Sequence, residues 1–273
     1  MKRPWSKRIF GVYGMLFLVF VYAPIIMVAV FSFNSNPVNM MIWSGFTFDW
    51  YWSIFGYPTQ LNEQTLYVES THQLLAAVKN SLIVAVSTTT ISTILGTMTA
   101  LALYRYRFLA QRLYQGLLYM PMVMPDIVLG IALLVFFVSV GVALGRISII
   151  VGHCTFLISY VFVVVSARLA GMDDTLEQAS ADLGANPWVT FRRITLPQIL
   201  PGVIGGALLA FIISMDDLVI TYFIAGVDST TLPVFIYGML RRGVKPEINA
   251  IATLMLTLSF VIASLGLYLR RRR

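Results

Sequence analysis

Glu177-Gln178-Ala179-Ser180-Ala181-Asp182-Leu183-Gly184, continuing through Asn186-Pro187 and Arg192-Arg193 to Ile194-Thr195-Leu196-Pro197, is the one long polar stretch in the second half of a very apolar chain. Its pattern is a short helix, a glycine stop and a second short helix. Asp174 or Thr175 is placed to cap the first helix, with Glu177 or Gln178 three residues on to close a capping box. Gly184 stands where a helix ends in a left-handed residue. Asn186-Pro187 then offers an N-cap and a proline at the first helical position. Pro197 and Pro201 predict the end of that second helix. Arg192 and Arg193 place the segment on the cytoplasmic face of a membrane.

Composition fixes the class. With 58% apolar and 11% charged residues, the chain reads as an all-α polytopic membrane protein and not as a soluble domain. A net charge of +7 would point to nucleic acid in a soluble protein. Here the basic residues gather at the ends of apolar runs, so orientation in the lipid bilayer accounts for them and no nucleic-acid partner is expected. The single cysteine, Cys154, lies inside an apolar run. It excludes a disulfide within the chain and argues against redox chemistry.

Working outward from the polar stretch, six spans are expected. Lys2, Arg3, Lys7 and Arg8 precede the first, from about 9 to 33, which is too long and lacks the small-residue site of a cleaved signal. Residues 34–75 form an outer connection carrying Trp43, Phe46, Phe48, Trp50, Tyr51 and Trp52, an interfacial aromatic belt in preference to a solute-docking surface. Further spans are expected at about 78–104, 113–140, 147–167, 200–224 and 246–269, the last running into Arg270 to Arg273. Both termini then face the cytoplasm. Arg241, Arg242 and Lys245 fall outside, against the positive-inside rule, and are the weakest point of this topology.

The third span contains Met120-Pro121-Met122-Val123-Met124-Pro125-Asp126, and the fifth contains Ser214-Met215-Asp216-Asp217. Prolines and acids inside a span are costly, and they recur in broken helices that line a cavity. An aspartate at the bilayer centre costs on the order of 2.5–3.5 kcal/mol on insertion scales. Counted at about 1.5 Å per residue, Asp126 and Asp216 reach similar depths, roughly 20 and 24 Å from the inner ends of their helices. No Lys or Arg is expected at that depth, and Glu247 stands at the outer start of the last span. Two readings stand: a cation path lined by these acids, or a structural role such as Asp217 capping a broken helix. His153 and Cys154 read as core residues, since adjacent helical positions cannot easily share a metal. No nucleophile–base spacing marks an enzyme. Nor is there a Gly-x-x-x-x-Gly-Lys-Ser/Thr phosphate loop, so ATP-driven transport would need a separate ATP-hydrolysing subunit.

Glu177, Ala179 and Gly184, followed by Ile194, Leu196 and Pro197, resemble the coupling loop of ABC importer permeases, with Gln178 where a second alanine is usual. The stretches Phe31–Ser35, Ala102–Phe108, Met124–Val128, Ser214–Val219 and Pro246–Ala250 are similar to the permeases of bacterial spermidine/putrescine importers. The resemblance implies the six-helix type I permease architecture: a first helix with its outer loop over 1–75, a permease core over 76–269 with the coupling loop at 174–197, and a basic tail at 270–273. It implies a multi-pass protein of the bacterial inner membrane. The expected partners are a homologous second permease, two ATP-binding subunits that carry ATP and Mg, and a periplasmic or lipid-anchored polyamine-binding protein. No cofactor or metal is expected on this chain. Asp126, Asp216, Asp217 and Glu247 become the expected solute path. Related machines for opines, phosphonates, thiamine or ferric iron remain the nearest alternative, and an ion-coupled secondary carrier is the alternative of a different class.

Overall fold

The computed structural model describes residues 4–37, 42–59, 69–242 and 247–271. Every regular element among them is helical: α1 (Pro4–Phe31), α2 (Asp49–Ile54), α3 (Glu69–Arg105), α4 (Gln111–Val123), α5 (Asp126–Ser139), α6 (Arg146–Leu169), α7 (Thr175–Asp182), α8 (Pro187–Thr190), a π-helical turn (Phe191–Thr195), α9 (Leu196–Asp216), α10 (Val219–Ile224), α11 (Leu232–Arg242) and α12 (Glu247–Arg271). The chain divides into two compact units, one of residues 76–235 and one of residues 1–75 with 236–273.

In the larger unit, α6 is the axis. It is the most buried of the long apolar helices among the described residues, with 56% of its most hydrophobic window inside the protein, and Ile149, Leu157, Val161 and Val165 are fully buried. Small residues let its neighbours approach closely. A Cβ on Gly96 of α3 would sit 2.8 Å from the Ile158 carbonyl, and one on Gly202 of α9 would sit 2.8 Å from the Arg168 side chain. Similarly, a Cβ on Gly152 would run into the Ile224 side chain of α10.

In the smaller unit, α1 and α2 both pack on α12. The apolar stretch of α1, Ile9–Phe31, has none of its most hydrophobic window buried, as suits a lipid-facing helix. Beyond it, Phe33 stacks on Phe46 with centroids 5.1 Å apart, and Phe48 and Tyr51 join the same cluster. Trp50 is buried and donates its indole N–H to the Asn34 carbonyl at 2.6 Å. Trp43, Phe46, Phe48 and Trp52 stay exposed.

Among the described residues, four helical stretches are long and apolar enough to cross a membrane: 9–31, 72–105, 146–169 and 187–216. The pair α4–α5 makes a fifth if its two halves, bent by 108°, count as one span. The described apolar part of the last helix is the shorter Ile248–Thr257. Lys2, Arg3, Lys245, Pro246, Arg272 and Arg273 lie outside the described residues.

One sequence expectation is corrected. Pro197 and Pro201 do not end the second short helix, because Pro187–Asp216 runs on as one helical stretch of 30 residues. The π-helical turn lets the Leu196 N–H reach back to the Phe191 carbonyl, one residue further than an α-helix would. The register shift falls just before Pro197, whose missing N–H is thereby accommodated near the start of α9. The third span breaks where its prolines lead one to expect, at the corner just before Asp126. Met124 is extended, with ψ of 135°, because the residue before a proline is driven out of the α region, and Pro125, with ψ of 134°, stands as the N-cap of α5. Depth gained along α4 therefore stops at that corner.

Candidate functional site

Both helix breaks carry acids. Asp126 lies in the first turn of α5, directly after the Met124–Pro125 corner. Asp216 ends α9, Asp217 is extended with ψ of 118°, and α10 begins at Val219. The two post-break helices lie side by side, since a Cβ on Gly130 of α5 would touch Phe223 at 2.8 Å and Ile220 Cα at 3.4 Å. Further along, Gly226 beyond α10 sits against the Leu144 carbonyl beyond α5. The chains therefore advance in the same direction, and their acid-bearing starts lie at corresponding ends.

The acids differ in surroundings. Asp126 and Asp216 are exposed. The side chain of Asp217 is only 8% exposed and faces His153, which is fully buried. One Asp217 oxygen, Oδ2, accepts from the Thr221 amide at 2.8 Å, the Thr221 hydroxyl at 2.7 Å and His153 Nε2 at 3.2 Å. Its Oδ1 accepts from the Ile220 amide at 3.4 Å. Asp217 thus caps α10, satisfying amides that a helix start leaves open. Glu247 opens α12 in the other unit, and its side chain lies outside those described.

The sequence places no Lys or Arg at this depth and marks His153 as a core residue. The histidine is core, yet it is bonded to Asp217, Ser214 and Thr221. A signal existed: Ser214, Asp217 and Thr221 recur at spacings of three and four, one helical face. Among the described residues, no group of three His, Cys, Asp or Glu gathers to hold a metal.

The polar loop folds as two short helices around Gly184, whose φ is +78°. The Ala185 amide bonds to the Ser180 carbonyl at 3.1 Å and the Gly184 amide to the Ala181 carbonyl at 2.9 Å. This is the paired closure that a left-handed residue permits at a helix end. The Asn186 side chain caps α8 by accepting from the Val189 amide at 2.9 Å. Beneath the turn, Ser180 and Thr190 hydroxyls bond at 2.9 Å.

The expected capping box at the start of α7 does not form, for two reasons. Asp173, not Asp174, takes the Thr175 amide at 3.0 Å, and bonds from the Thr175 side chain and backbone hold the Asp173 carboxyl below its ordinary pKa. Glu177 meanwhile turns to Arg105 at 2.8 Å and accepts a short bond from the buried Thr195 hydroxyl. Arg105 also bonds Thr195 at 3.2 Å, and the Tyr104 hydroxyl bonds Asp174. The loop is therefore clamped onto the end of α3, a link between residues too distant in sequence to be read from it. Leu176, Ala179, Leu183 and Trp188 face outward, Leu183 being 88% exposed. Pro197 is exposed, whereas Ile194 and Leu196 are half-buried.

Residues 92–273 match the family of binding-protein-dependent transport system inner membrane components. The spermidine/putrescine transport system permease protein PotC of Haemophilus influenzae is 38% identical, over 97% of this chain and 98% of that protein. PotC of Escherichia coli K12 is 41% identical over 89% and 86%. The putrescine transport system permease protein PotI of E. coli K12 is 37% identical over 99% and 92%. Among solved structures, a bacterial ABC transporter that imports the acidic polysaccharide alginate superposes with a TM-score of 0.71, at 17% identity and 99% coverage of both chains. The inward-facing methionine transporter MetNI gives 0.61 at 21% identity, covering 73% of this chain and 95% of that one. These two likenesses show the ABC importer permease fold.

Proposed function

From a chain that belongs to the binding-protein-dependent transport system inner membrane components, we infer the permease subunit of an ATP-driven importer that carries polyamines such as spermidine and putrescine into the cell. The observation that carries the solute is the 38% identity with a spermidine/putrescine permease over nearly the full length of both chains. The chemistry agrees: exposed carboxylates at two adjacent helix breaks attract a polycation and repel an anion.

In this reading the chain is a multi-pass inner-membrane protein with six spans and both termini in the cytoplasm. It pairs with a homologous second permease. Two ATP-binding subunits supply ATP and Mg, and a periplasmic or lipid-anchored binding protein delivers the solute. The outward apolar face of Leu176, Ala179, Leu183 and Trp188 docks on the ATP-binding subunit. Glu177, Gly184, Ile194, Leu196 and Pro197 keep the loop in shape for that contact. Because α8, the π-helical turn and α9 are continuous, movement of the docked loop is transmitted along a rigid rod to the break at Asp216. Asp126 and Asp216 line the path, Asp217 stands at its edge, and Glu247 belongs to its outer end.

Asp126→Asn and Asp216→Asn test this. Each should lower polyamine uptake at least tenfold while the assembled complex stays at its normal level in the membrane. Unchanged uptake in both would remove these acids from the path.

A further inference from the structure

We propose that His153 is a positioning residue that staples the break between α9 and α10 and thereby fixes where Asp216 points. The inference rests on the reading of Asp216 as a path residue. The imidazole, fully buried on α6, touches the chain before, at and after the break. Its Nδ1 lies 2.9 Å from the Ser214 hydroxyl in the last turn of α9. Its Nε2 lies 3.2 Å from Asp217 at the break and 3.0 Å from the Thr221 hydroxyl in α10. A carboxylate only accepts, and the Thr221 hydroxyl already donates to Asp217. The Nε2–H is therefore shared as a donor between the two oxygens.

A break within a span leaves amides of the second helix open in a medium without water. Asp217 satisfies them, but a carboxylate drawn into an apolar core is costly unless it has partners. His153 is that partner from the neighbouring helix. Successive helical residues point about 100° apart, so drawing Asp217 inward turns Asp216 outward, and Asp216 is the exposed one of the two. The two aspartates thus divide the work: Asp217, held by His153, sets the geometry, and Asp216 meets the solute.

The test is a double-mutant cycle in the complete transporter, reconstituted with its ATP-binding subunits and binding protein. Spermidine uptake is compared at equal amounts of assembled complex. His153→Ala and Asp216→Asn should each lower uptake at least tenfold, and the double variant should be no worse than twofold below the weaker single. His153→Gln, whose amide can still donate to Asp217, should recover part of the loss. Thr221→Val, nearly the same shape without the hydroxyl, should lose severalfold and decides the matter if His153→Ala does not assemble. Losses that multiply in the double variant would make His153 a fold residue independent of Asp216 and overturn the staple. Unchanged uptake in both His153→Ala and Thr221→Val would overturn it as well. Unchanged uptake in Asp216→Asn alone would instead overturn the path reading, and the staple's role with it.

Discussion

Gly184→Val isolates the backbone of the loop from its packing. No heavy atom lies within 4 Å of a Cβ built on Gly184, so a side chain there meets open space. The cost arises from φ of +78° alone. A non-glycine residue in the left-handed region costs roughly 1–2 kcal/mol, and a β-branched one more. That corresponds to about a 5- to 30-fold fall in the ratio of native to altered turns. The altered turns lose the two bonds that close α7, from Ala185 to Ser180 and from Gly184 to Ala181. Asparagine tolerates the left-handed region best after glycine, so damage should rise in the order Asn, Ala, Val. The assay is co-purification of the ATP-binding subunit and ATP-driven uptake, both normalised to permease in the membrane. Valine should retain membrane insertion and lose most coupling, with asparagine near the wild type. Normal co-purification and uptake in Gly184→Val, or asparagine as harmful as valine, would refute the reasoning.

Two further variants separate packing from electrostatics. Gly226→Ala drives a Cβ into the Leu144 carbonyl oxygen, a backbone atom that cannot swing aside. It should destabilise the complex by about 1–3 kcal/mol, read as a lower melting temperature in detergent, and an unchanged one would disprove the close approach. Arg105→Ala removes a partner of Glu177 at a site about a third exposed, 34% and 22% for the two side chains, so screening limits the loss to about 1 kcal/mol or less. Uptake should fall no more than severalfold, and complete loss of coupling would mean that Arg105 itself meets the ATP-binding subunit.

What the sequence made legible is what local chemistry decides. The left-handed turn at Gly184 and the cap at Asn186 depend on residues within one or two turns, and both stand where the pattern predicts. The interruptions near Pro125 and Asp217 were legible in kind, because proline and buried carboxylates are incompatible with an unbroken span. The 108° angle was not, since it is set by how α5 packs on α10 at Gly130. The capping box failed because Arg105 and Thr195, remote in sequence, outcompete the backbone for Glu177. His153 is the core residue the sequence implies, but its partners come from other helices, and a lone histidine in an apolar run does not announce them.

The central claim is tested most directly by labelled spermidine and putrescine uptake in cells lacking only this chain, with the gene restored or not, and with the ATP-binding subunit intact or disabled. The account predicts uptake that returns with the gene and vanishes when ATP hydrolysis is disabled. Polyamine uptake indifferent to this chain would contradict the solute assignment, and restored uptake that persists without ATP hydrolysis would contradict the importer itself.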